Sequence, residues 1–331
     1  MPPISEQNRQ PSTTSLSSKG DKVIDPSTYF STHVPPSNLN ASKILVSEFV
    51  SKNSKINRPV VLVTSGGTTV PLENNTVRFI DNFSNGNRGA ASTERLLEEG
   101  YAVIFMHREH SLQPYNRHYT HSAERFLDYF VAGENGEVQI NLKYKEKIQT
   151  DFEKYSKAIN NNQLLMVTFV TLSDYLFLLR EVSLTLAAMK RNAMFYLAAA
   201  VSDFFIPSHN MSEHKIQSRE GNLTLEMNQV PKFLKPLVMN WAPDSYIVSF
   251  KLETDPELLV PKARHALSNY GHQIVIANML HTRKTEVWLI EDKKESHHLQ
   301  LDSKEAANGV DIELLIIQEL VKRHKEWINK N

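Results

Sequence analysis

The chain has 331 residues, 40% of them apolar, which is enough for one large α/β domain or two small ones with a sizeable core. Lysine plus arginine equals aspartate plus glutamate at 37 each, so no global field draws nucleic acid or an anionic membrane, and only local anion sites stay open. The absence of cysteine excludes a disulfide scaffold, a cysteine-rich zinc site and a thiol nucleophile.

Residues 1–40 are rich in Ser, Pro, Asn and Thr and poor in large apolar side chains, the composition of a disordered segment. They lack the apolar stretch of a signal peptide and the Arg-rich amphipathic face of a transit peptide, and no run of eighteen apolar residues follows. A cytoplasmic protein, with the nucleus as a second compartment, is the simplest expectation. Residues 41–331 read as a single α/β domain. SNLNASKILVSEFVSKNSK predicts a helix with Ser37 or Asn38 as its N-cap. PVVLVTSGG is a β-branched run stopped by two glycines, a strand buried on both faces. ASTERLLEEG predicts a helix ending at Gly100, and YAVIFMHR and LLMVTFVT predict strands. Between those strands, residues 110–162 are a polar excursion, read as a helical insertion.

A long helical pattern in SDYLFLLREVSLTLAAMKRN leads to MFYLAAAVSD, a strand of small residues. SYIVSFKLETD, HQIVIANM and TEVWLIED predict three more strands, with the helix PELLVPKARHALSNYG between the first two and the amphipathic DIELLIIQELVKRHKEWINK at the end. Alternating strands and helices imply a doubly wound, mainly parallel Rossmann-like sheet with helices on both faces.

Ligands of such a sheet bind beyond the carboxyl ends of its strands. Thr64–Thr68, Ser202–Asp203 and Asn278 stand at three such ends. The stretch VRFIDNFSNGNRGAAS should reach the same edge, because a helix follows it. Its Ser84, Gly86 and Gly89 precede amides that lack partners, a ready anion site; the alternative is a plain helix cap by Ser84 or Asn85. The spacing G-x-x-G is a weak signal, and neither a complete G-x-G-x-x-G nor a G-x-x-x-x-G-K-S/T occurs. The alanines of LAAAVSDFFIP leave room for a ligand against the backbone, or for close packing under a helix. Lys215 and His214 in SEHKIQS, Phe250 in FKLETD and the HREH cluster are each ambiguous alone, and no protein-held metal is assigned.

Together, TSGGTTVPLENNTVRFIDNFSNGNRGA, LAAAVSDFFIP, HKIQS, VSFKLETD and the strand ending in Asn278 resemble, in order over about residues 58–325, the phosphopantothenate–cysteine ligases of coenzyme A biosynthesis. The form resembled is the eukaryotic stand-alone ligase, without a fused flavin-dependent decarboxylase. The resemblance implies that Gly66, Ser84, Gly86 and Gly89 cradle nucleotide phosphates and that Phe250 and Asn278 lie at the base and ribose. It implies that Asn82, Ala199, Ala200 and Asp203 hold phosphopantothenate, that Arg78 reaches a neighbouring subunit's substrate in a homodimer, and that Lys215 serves acyl transfer from a mobile loop at about residues 208–219. ATP and Mg²⁺ are the implied co-reactants and L-cysteine the second substrate; no nucleic acid or membrane partner is expected. Asn85 and Asn87 fall at variable positions of the turn. An NAD(P)-dependent or nucleotide-sugar oxidoreductase and a non-catalytic binding platform are the rivals on the same fold.

Overall fold

Six consecutive residues, Val60–Ser65, are all buried and form β1, the strand around which the rest is arranged. The computed structural model describes residues 25–120, 124–218 and 221–330. Before β1 come helices α1 (Pro26–Thr32) and α2 (Leu39–Lys55). After it come the hairpin β2 (Thr69–Pro71) and β3 (Phe79–Asp81), then α3 (Asn87–Glu98), β4 (Ala102–Arg108) and a second hairpin of β5 (Phe130–Ala132) and β6 (Val138–Ile140). The chain continues through α4 (Lys145–Asn160), β7 (Leu164–Phe169), α5 (Leu172–Leu186), β8 (Ala193–Leu197), the paired β9 (Phe204–Phe205) and β10 (Asn228–Gln229), and the short α6 (Leu234–Pro236). It closes with β11 (Tyr246–Glu253), α7 (Pro256–Tyr270), β12 (Ile274–Met279), β13 (Glu286–Ile290), β14 (His297–Gln300), α8 (Ser303–Ala307) and α9 (Glu313–Ile328).

Eight strands form one sheet in the order β14-β13-β12-β11-β8-β1-β4-β7. From β12 to β7 every pairing is parallel, and β13 and β14 are added antiparallel at one edge. The chain runs outward from β1 through β4 to β7, then returns to the other side of β1 as β8. A crevice therefore opens at the carboxyl ends of β1 and β8.

Alternation along β1 divides the core. Val60 and Leu62 face the layer of α2 and α5, while Val61 and Val63 face α3 and α9. The helix ends carry their own signals. Thr171 and Asp174 form a capping box on α5, and α7 runs from the Asp255 cap and Pro256 to Gly271 at φ +71°. Asn38 is the N-cap of α2 but makes no side-chain cap bond.

Two expectations are corrected. Residues 1–24 lie outside the described residues, but from Asp25 onward the supposedly disordered segment is structured. Asp25 caps α1, and Tyr29, 1% exposed, packs edge-on against Phe205 and Phe233 with centroids 5.5 Å away in both cases. Two adjacent aromatics dock a short helix whose other residues are Ser, Thr and Pro: buried Tyr29, and half-buried Phe30 against Phe177, Phe233 and Trp241. Residues 110–162 are not a helical insertion throughout. The helical part, α4, is the crossover between β4 and β7 and so belongs to the winding; what is inserted before it is a 3₁₀ turn and the β5–β6 hairpin.

Candidate active site

Three segments meet at the crevice. The loop after β1 lies beside the strand-end alanines: the Ala200 amide donates to the Gly66 carbonyl (2.8 Å), and the Thr68 amide donates back to the Ala200 carbonyl (3.1 Å). Hydroxyls add to this seam, since Thr64 Oγ1 accepts from the Ala199 amide (3.2 Å) and Thr68 Oγ1 from the Ser202 amide (3.0 Å). The DNFS turn closes over the loop, its Asn82 amide donating to the Thr68 carbonyl at 3.1 Å. The contact needs Gly67, where a Cβ would lie 1.7 Å from the Asn82 carbonyl oxygen. The Asn82 side chain makes no hydrogen bond among the described residues and is left available at the seam.

The turn at residues 84–89 differs from a simple side-chain cap. The N-cap of α3 is Gly86, in the left-handed region at φ +84°. Ser84 Oγ accepts from the Gly86 amide (3.4 Å) and Asn85 Oδ1 from the Asn87 amide (3.2 Å), so both shape the turn ahead of the helix. The amides of Arg88 and Gly89 have no partner among the described residues, and they point from the positive end of the helix. Gly89 itself faces inward: a Cβ there would meet Ser65 Oγ at 2.4 Å, and Ser65 Oγ donates to the Gly86 carbonyl (3.0 Å).

Arg88, which sequence reasoning passed over, joins this turn to the far wall. Its Nη1 lies 3.1 Å from the buried Glu313, its Nη2 donates to the Arg283 carbonyl (2.6 Å), and its guanidinium stands 5.6 Å from the centre of the Phe250 ring. Burial pushes the Glu313 carboxyl up, with Arg88 pulling the other way. Phe250 packs edge-on against Tyr196 at 5.0 Å. On the neighbouring strand, Asn278 is 4% exposed and its side chain has no partner among the described residues. A cavity of about 300 Å³ opens beside these groups, with Ala199, Asp203, Lys232, Phe250 and Tyr270 in its walls. Asp203 is exposed, 3.9 Å from Lys232.

Arg78 and Lys215 stand together in a second cluster. Glu73, fully buried, receives Arg78 Nε at 2.9 Å, and Arg78 Nη2 lies 2.8 Å from Glu73 and 2.5 Å from the Ile216 carbonyl. Burial works to raise the Glu73 carboxyl, but hydrogen bonds from Arg78 and from the amides of Val77 and Ile216 outweigh it and hold the group below the ordinary glutamate range. Lys215 is exposed, and its ammonium has no partner among the described residues. The HREH histidine His107 is a core residue, 2% exposed and bonded to the Arg108 carbonyl (2.9 Å).

Residues 56–132 and 180–315 match the family model described as the DNA/pantothenate metabolism flavoprotein C-terminal domain. The Saccharomyces cerevisiae phosphopantothenate–cysteine ligase CAB2 is 39% identical over 365 residues, covering 99% of this chain and 97% of that protein. The phosphopantothenate–cysteine ligase 2 of Oryza sativa subsp. japonica is 46% identical over 269 residues, covering 81% of each. Among solved structures, a Cab2 mutant in complex with phosphopantothenate-cysteine superposes with a TM-score of 0.84 at 42% identity, covering 91% of this chain and 97% of that one. These relatives favour a ligase over the oxidoreductase and binding-platform readings: the chain belongs to the phosphopantothenate–cysteine ligase family of coenzyme A biosynthesis.

Proposed function

We propose that this chain joins 4′-phosphopantothenate to L-cysteine in the cytoplasm through an acyl-adenylate, with ATP and Mg²⁺ as co-reactants. The observation that carries the reading is the seam itself: an unpaired Asn82 side chain, the Ala199–Ala200 backbone and two free amides of α3 stand around one crevice. In the first step a carboxylate oxygen of phosphopantothenate bonds to the α-phosphorus and pyrophosphate leaves. In the second, the cysteine amine bonds to the acyl carbon, AMP departs with the former carboxylate oxygen, and the amine proton passes to water.

The turn formed by Gly66, Ser84, Gly86 and Gly89 receives the phosphates through backbone donors. Phe250, with Arg88 beside it, offers a stacking surface for the base, and the buried amide of Asn278 awaits a ribose or base partner. Asn82 orients the carboxylate, Ala199 and Ala200 let the pantothenate arm lie against backbone, and Asp203 takes a hydroxyl or amide of that arm. The donor set present here, amides and a guanidinium, suits a metal that arrives on the triphosphate and neutralises its charge. Lys215 serves the acyl-transfer step.

Arg78 is assigned to the neighbouring subunit's substrate in a homodimer. Support comes from Val77, Phe79 and Phe83 on the surrounding hairpin, apolar side chains that are 50% or more exposed. Product analysis with purified protein, phosphopantothenate, L-cysteine, Mg²⁺ and either ATP or CTP tests the whole. Cysteine-dependent AMP and pyrophosphate are expected. ADP with phosphate would replace the acyl-adenylate by an acyl-phosphate, and no turnover would overturn the ligase reading for this chain.

A further inference from the structure

The segment carrying Lys215 is polar and exposed, yet it is bound to the turn after β2 along its length. Glu73 and Ser212 form a parallel bridge, and the Asn74 and Asn75 amides donate to the carbonyls of Ser212 (2.9 Å) and Glu213 (3.1 Å). Side chains double these bonds. Asn74 Nδ2 donates to Glu213 Oε2 (2.9 Å), and Asn75 Nδ2 to the Glu213 carbonyl (3.0 Å) and Oε1 (3.3 Å). One residue past Lys215, the Ile216 amide approaches Glu73 Oε1 at 3.4 Å while its carbonyl accepts from Arg78 Nη2. Lys215 thus stands between tethered residues with its ammonium unpaired among the described residues, while its carbonyl accepts from Gln217 Nε2 (3.0 Å).

We propose that Glu73, Asn74 and Asn75 form a latch that positions Lys215 for the acyl-transfer step and aims Arg78 outward; the inference rests on the ligase reading above. These are positioning residues, because they act through Lys215 and Arg78. Glu73 is the shared anchor. Its buried carboxylate fixes Nε and Nη2 of Arg78, leaving Nη1 without a partner among the described residues, so the free edge of the guanidinium is set by the same group that receives the Ile216 amide. A carboxylate taken wholly out of water is costly unless its lone pairs are filled. Here the Lys215 segment fills part of them, so departure of the segment leaves Glu73 under-satisfied and return is favoured.

The test compares the full-length protein with Asn75→Ala and Glu213→Ala, both at exposed positions, and with the double variant. Trypsin cleavage after Lys215, without substrates, reports the latch directly. Loss of its side-chain bonds should speed cleavage about fivefold in each single variant, with little further gain in the double, as expected of partners in one interaction. Phosphopantothenate-dependent exchange of pyrophosphate into ATP, without cysteine, should stay within about twofold of the parent, while cysteine-dependent AMP release falls about tenfold. Unchanged cleavage in both single variants would overturn the latch. Faster cleavage with undiminished AMP release would overturn its positioning role. A parent protein with no nucleotide turnover would count against the ligase reading, and the cleavage arm would still decide whether the latch exists.

Discussion

Gly67 is the position where a single methyl group does most harm to the site. The close approach of its Cα to the Asn82 carbonyl leaves no volume for a Cβ, so Gly67→Ala must drive the DNFS turn away from β1. Overpacking of this kind costs about 1–3 kcal/mol of stability. Displacing a substrate-orienting group by about 1 Å costs roughly a hundredfold in rate. Thermal unfolding and steady-state kinetics on the same variant separate the two effects; near-normal kcat/KM would show that the close approach is not needed. The neighbouring glycines show what a motif conceals. The spacing at Gly86 and Gly89 suggested room for phosphate, whereas Gly89 is small because Ser65 occupies the space beside it. Both demands write the same letter. Asn82 and the alanines were legible because they stand in long, specific blocks. Arg88 was not, because within the turn nothing distinguishes a cation that braces an aromatic wall from a solvated one. Asn74 and Asn75 passed as part of a block, since their partners in the Lys215 segment lie about 140 residues away, as does the Ile216 amide that joins Arg78 on Glu73.

At the scale of elements, seven of the eight strands of the main sheet were read because each is a short, largely apolar run, whereas the short pairs β2–β3, β5–β6 and β9–β10 carry no such run. β14 escaped that reading: His297–Gln300 is exposed at all but one position and pairs only at the sheet's edge. α1 escaped for the opposite reason, its one buried residue being hidden in a polar segment. Its contribution is measurable. Tyr29→Ala removes a fully buried ring with aromatic neighbours and should cost about 3 kcal/mol. The loss would be read as a lower urea midpoint with unchanged slope; an unchanged midpoint would mean that α1 rests on the domain without stabilising it. Because the ring contacts Phe205, the strand that leads into the Lys215 segment should feel the loss as well.

At the scale of the molecule, burial disfavours the protonated form of four histidines, His107, His118, His272 and His324, and the last two contribute most to the response to acid. Burial pushes both His272 and His324 down to about 4. His324 is held neutral between Tyr101 Oη at Nδ1 (3.0 Å) and the Arg191 carbonyl at Nε2 (2.9 Å), which ties α9 to the sheet. Unfolded, each would take a proton near pH 6.5. The unfolded chain therefore binds more protons between about pH 6.5 and 4, and stability falls as the pH drops through that window. Two such groups give a slope of at most about 2.7 kcal/mol per pH unit. Urea midpoints at pH 7 and pH 5 check this, and equal values would contradict it.

The order of the sheet has a further consequence, in time rather than in space. Thr64 on β1 and its partner Ala199 beyond β8 are 135 residues apart in the chain, while β1 meets β4 after some forty. At about 5–20 residues per second, a ribosome delivers the second wall of the crevice on the order of ten seconds after the first. Through that interval the edge of β1 that will pair with β8, Val60 to Thr64, is unpaired in an unfinished sheet. The central strand that carries the candidate site is therefore the one that nascent-chain binding factors have most reason to shield.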